Sequence, residues 1–166
     1  MEIFWLFIRW IHVLAAVTWI GGNLTLAMII VPYFRQNLPP VKRILLLTEI
    51  GKRFEPIVWG CVFILLFTGI GNVFESLGLS DIEVNAYMRT LLIKLILFII
   101  LIILTAMHSF VFGPKLSSAI EGLDEELETL PTDVDAIRKR LAFVSSLMGV
   151  VSLLVLLAAV ALRMGI

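Results

Sequence analysis

The chain contains two histidines, His12 and His108, and both fall inside stretches apolar enough to cross a bilayer. An ionisable side chain in that setting is costly and usually marks a function. A neutral imidazole keeps one ring lone pair for a metal, and inward-facing histidines of helical bundles are the usual ligands of haem iron. Ligation of a metal or a haem through His12 and His108 is therefore the first chemistry to expect. Spacing by three and four puts His12, Ala15, Ala16, Trp19, Gly22 and Asn23 on one helical face. Small residues beside the imidazole leave room for a flat group, or equally for a closely packed helix. Further along, Lys94, Phe98, Leu101, Thr105 and His108 share a face. Lys94 and His108 are 14 positions apart, which corresponds to about 21 Å of helix axis, so the two cannot serve one iron.

The elements that must carry these residues follow from composition. Of the 166 residues, 60% are hydrophobic, and the mean hydropathy of +1.05 lies in the membrane class. A membrane-spanning helix needs about 20 largely apolar residues. Four windows qualify, roughly 3–34, 56–78, 88–113 and 141–163. The fold expected is an all-α, four-helix transmembrane bundle forming a single domain over residues 1–166. The first window lacks a basic leader and runs about twice the length of a signal-peptide core, so it reads as an uncleaved span. A net charge of zero gives no global field for nucleic acid. Cys61, the single cysteine, excludes an intrachain disulfide, a Cys-x-x-Cys pair and covalent haem attachment. Any haem would be non-covalent, of the b type.

Orientation follows from lysine and arginine. Arg35, Lys42, Arg43, Lys52 and Arg53 lie between spans one and two, and Lys115, Arg138, Lys139 and Arg140 between spans three and four. These connections are expected in the cytoplasm, with both termini outside. In a serpentine of four helices, His12 and Lys94 then lie at similar depth near the outer face and His108 near the inner face. Between spans one and two, residues 41–56 read either as a helix on the inner membrane surface or as an early start of span two. Ser80 to Glu83 fits a capping box that starts the third helix near Asp81. After Pro114 helical periodicity continues toward Pro131, and Thr132 with Asp135 caps the last helix. That arrangement predicts a cytoplasmic helical extension in which Asp124, Glu125, Glu126 and Glu128 face Arg138, Lys139 and Arg140. In span four, Ser145, Gly149 and Ser152 form a small-residue packing seam.

HVLAAVTWIGG in span one, RFEPIVWGCVFILLFTGIG in span two and MRTLLIKLILF opening span three resemble the copper-resistance protein D (CopD-like) membrane domain. They are also similar to the four-helix membrane protoporphyrinogen oxidases. The resemblance covers roughly residues 10–163, and its most specific parts are the histidine followed by Trp and Gly-Gly and the span-three lysine. The oxidase resemblance implies that His12 ligates haem and that Lys94 is needed beside it.

The leading expectation is a membrane b-type cytochrome holding one or two haems b through His12 and His108 and moving electrons in the bilayer. Trp19 and Gly22 would line the outer haem, Lys94 would serve as ligand, proton carrier or propionate partner, and Arg53 would pair with a propionate. Lys94 and Arg53 read equally as residues that reach the headgroups. A quinone or a soluble redox protein would exchange electrons with it, in a bacterial or archaeal cell membrane, with a homodimer as a further expectation. The alternatives are a protoporphyrinogen-oxidising enzyme with Lys94 catalytic, a copper-handling or transport protein, and a haem-free scaffold recruiting a partner through its hairpin.

Overall fold

The computed structural model describes residues 2–77 and 84–164, which contain helices and no strand among the described residues. The helices are α1 (Glu2–Thr25), α2 (Val31–Asn37), α3 (Pro40–Leu77), α4 (Val84–Ala106), α5 (Gly113–Ala119) and α6 (Thr132–Met164). A π-helical turn, Leu26–Ile30, joins α1 to α2, and a second, Met107–Phe112, joins α4 to α5. Four continuous runs are long and apolar enough to span a membrane: Glu2–Asn37, Pro40–Glu75, Tyr87–Ala119 and Thr132–Met164. The protein is an all-α integral membrane protein whose outward apolar side chains, such as Ile3, Phe67 and Phe74, face lipid.

The two π turns share one cause. Each is followed, one residue on, by a proline, Pro32 or Pro114, whose ring clashes with the carbonyl four residues back and which has no N–H to offer it. Widening the preceding turn relieves that clash, and the bonds from Val31 N–H to Leu26 O and from Gly113 N–H to His108 O close it. His12 stands 20 residues before Pro32, and Lys94 stands 20 residues before Pro114. The two helical hairpins thus follow one plan, α1 packing on α3 and α4 on α6. His12 and Lys94 occupy matching places in it.

Stripes of period 3.6 build the core. Ala15 and Trp19 of α1, Val58, Cys61, Val62 and Leu65 of α3, Leu101 and Leu104 of α4, and Val144, Met148 and Val151 of α6 form one buried cluster. A second cluster lies at the opposite end from the chain termini, the hairpin end. It joins Val41 and Ile44 of α3, Leu116 and Ile120 around α5, and Val134 of α6.

Several expectations change here. The stretch after Pro39 belongs to α3, which runs unbroken from Pro40 through Pro56. The extension after Pro114 stops being helical at Ala119, and Gly122, with φ +83°, takes the left-handed conformation that ends such helices. The acidic loop therefore folds back, tucking Leu123, Leu127 and Leu130 against the second cluster. Glu126 pairs with Lys42 at 3.2 Å, while Arg138 and Lys139 both bind Asp135, at 2.6 and 2.9 Å. The acidic run meets the start of α3, and the expected pairing with Arg138, Lys139 and Arg140 is not what forms. Of the expected seam in α6, Ser152 is buried, Ser145 is exposed and Gly149 has open space beside it. The capping box at Ser80–Glu83 lies outside the described residues.

Candidate functional site

The polar residues inside the bundle sort into two levels. At the terminal end, α1 and α3 run antiparallel, and side chains of α1 lie beside glycines of α3. Trp5 and Ile8 come up to Gly71, and the His12 ring comes up to Gly69. His12 Nδ1 lies 2.7 Å from Thr68 Oγ1, and Thr68 Oγ1 donates to the Ile64 carbonyl at 2.5 Å. Lys94 of α4 is close enough for its charge to act on His12. Above this group Arg9 pairs with Glu75 and ties the ends of the same two helices together. The level thus combines an imidazole, a hydroxyl and an ammonium, three groups able to exchange protons or bind an ion.

The middle of the bundle is apolar. Trp19, 2% exposed, meets Phe98 edge-on with ring centres 6.3 Å apart. Cys61 and Met148 lie in the same buried cluster. Thr105 and Ser152 are buried but bond back to the carbonyls four residues earlier, Leu101 and Met148, which satisfies them without a partner helix.

The second level holds His108, within the π turn that precedes Pro114. Glu55 of α3 is near enough for its charge to act on the ring, and the neighbouring Trp59 stacks on Phe110, ring centres 5.5 Å apart. Arg53 points away, largely exposed, and pairs with Glu49 at 2.7 Å. Gly22 packs against α3, where the Phe54 ring fills the space a side chain would need.

The structure thus sets His12 on Thr68 within range of the Lys94 charge and holds His108 apart from them, within range of the Glu55 charge. Trp19 belongs to the core, Gly22 to a helix contact and Arg53 to the surface. Thr68 and Gly69 complete the His12 level, and Glu55 the His108 level. In sequence the only hint of Thr68 and Gly69 was the small-residue run TGIGN, because the antiparallel pairing that sets them against His12 is not written in either helix. Among the described residues no three His, Cys, Asp or Glu side chains gather as a metal cluster.

Comparison with known proteins bears on the readings. The profile of the family described as copper resistance protein D matches residues 48–162, which takes in all of α4 and α5 and most of α3 and α6. A protein of Aquifex aeolicus (strain VF5), described as an uncharacterized protein, is 28% identical over 108 residues, covering 63% of this chain and 68% of its own length. No solved structure matches the chain. These matches overturn the expectation of an electron-transferring b-type cytochrome, since they point to copper and offer nothing for haem or electron transfer. Of the small residues expected to leave a slot for a flat group, Gly22 is met by the Phe54 ring and Ala15 lies in the buried core. Resemblance to the protoporphyrinogen oxidases is not shown by these matches. With the profile covering more than half of its length, this four-helix membrane protein belongs to the copper resistance protein D (CopD) family.

Proposed function

We propose that the protein handles copper within the membrane, taking the ion at one level of the bundle and passing it toward the other. The family match over residues 48–162 carries this reading. The side chains available support it. Imidazole and sulfur are the donors that suit copper, sulfur favouring Cu(I) in particular, and the bundle holds His12 and His108 at its two levels with Cys61 and Met148 in the core between them. Copper is here the cargo. A low-coordinate ion moving between imidazoles and sulfurs needs no preassembled cluster of three ligands, which suits a path better than a resting site.

The hairpin end is the cytoplasmic side in this proposal, because Arg35, Lys42, Arg43, Lys115, Arg138, Lys139 and Arg140 gather there. Lys94 beside His12 gives the terminal-end level a charge control: its ammonium opposes a bound cation, and losing a proton from it would compensate the arriving charge.

The test is copper itself. Purified protein in detergent is expected to take up Cu(I) from a chromophoric chelator, and cells expressing it are expected to accumulate copper above an empty-vector control. His12→Ala and His108→Ala should each lower the accumulated metal. Protein that takes no Cu(I) from the chelator, together with unchanged cellular copper, would remove the reading.

A further inference from the structure

We infer that Thr68 fixes the tautomer of His12, placing the ring proton on Nδ1 and leaving the lone pair on Nε2 for a metal. The argument is a count of hydrogens. Thr68 has one hydroxyl hydrogen and two lone pairs. Its Oγ1 lies 2.5 Å from the Ile64 carbonyl oxygen, which can only accept, so the hydrogen is committed to that bond. The same Oγ1 lies 2.7 Å from His12 Nδ1, and the only hydrogen left to occupy that contact is one on Nδ1. A neutral imidazole carries a single N–H. Nε2 is then the basic nitrogen and carries the free lone pair of the ring.

The hydroxyl, more than crowding, holds the ring. A methyl group added at Gly69 would come no closer than 3.5 Å to His12 Cε1, an ordinary contact, so the wall beneath the ring is permissive. Thr68 is therefore a positioning residue, acting on the metal only through His12. A hydrogen bond from the non-ligating nitrogen fixes a ligand's tautomer and raises its basicity, and loss of such a partner typically costs about 10- to 100-fold in metal affinity. Assigning Nε2 to copper rests on the proposed function above; the tautomer does not.

The experiment uses full-length protein labelled with 15N-histidine, with His12 assigned by difference against His108→Gln. Long-range 1H–15N correlation at a pH where the ring is neutral should show a protonated Nδ1 and an unprotonated Nε2. Thr68→Val should shift the ring toward a mixture of tautomers, and Thr68→Ser should restore the wild-type pattern. A wild-type spectrum with the proton on Nε2 overturns the inference without any variant, as does a Thr68→Val spectrum identical to wild type. Cu(I) should then move the Nε2 resonance, and Thr68→Val should weaken Cu(I) binding about tenfold or more. If the tautomer is as inferred but Cu(I) moves neither nitrogen, the copper reading fails at this level while the role of Thr68 stands.

Discussion

Trp59 of α3 stacks on Phe110 of the second π turn, their ring planes 20° apart and their centres separated by 5.5 Å. The contact seats the wide turn that carries His108 against the helix that carries Glu55. Pro114 makes that turn necessary, since the alternative is a clash with the carbonyl of Phe110. Pro114→Ala is expected to let the turn tighten to an α-helix, rotating Phe110 off Trp59 and turning His108 with it. A cysteine pair at positions 59 and 110, built with Cys61→Ala, should be bridged readily by a short bifunctional thiol reagent with Pro114 present and poorly with alanine in its place.

Gly22 is a packing residue, because the Phe54 ring occupies the place of its missing side chain. Gly22→Leu should destabilise the α1–α3 pair by about 1–3 kcal/mol, the usual cost of overpacking. Combining it with Phe54→Ala should recover much of the loss. Thermal unfolding in detergent measures both, and a double variant no better than Gly22→Leu alone would contradict the contact.

Ile120 is 2% exposed in the cluster at the hairpin end. Ile120→Ala should cost about 2–5 kcal/mol locally. Since this cluster is separate from the main core, the damage should appear as faster proteolysis within residues 121–131, with the 15N signals of His12 unchanged.

Lys94 should oppose a cation at His12. Lys94→Met is expected to tighten Cu(I) binding by roughly tenfold, about 1.4 kcal/mol, and to flatten the pH dependence of binding. The sign of that dependence in the wild type follows from competition: protons leave the ligand and the lysine as copper arrives, so affinity rises with pH. Chelator competition at several pH values checks both statements.

Sidedness has its own test. With Cys61→Ala as background, a cysteine at Glu128 should be protected from an impermeant thiol reagent added to intact cells, and one at Glu2 should react. The reverse pattern would invert the assignment of the hairpin end to the cytoplasm.

Length and apolarity determined the four spans, because a bilayer leaves the backbone no partner but itself and makes about 20 apolar residues a sufficient signal. Helix rise together with serpentine order separated His12 from His108 and set His12 beside Lys94, an argument that needs only 1.5 Å per residue and the direction of each span. Tertiary structure decided what each small residue is for. Gly22, Gly69 and Gly71 look alike in sequence, yet Phe54 fills the side-chain place at Gly22 while the His12 and Trp5 rings lie at ordinary contact distance from the other two, because the facing helix chooses the neighbour. It decided equally that Glu126 meets Lys42 rather than the basic start of α6, since Gly122 turns the chain at a positive φ that the helical periodicity around it conceals. Thr68 shows the difference most directly. Its hydroxyl is one of several small polar groups in an apolar helix, and only the antiparallel register of α1 and α3 brings it to Nδ1 of His12.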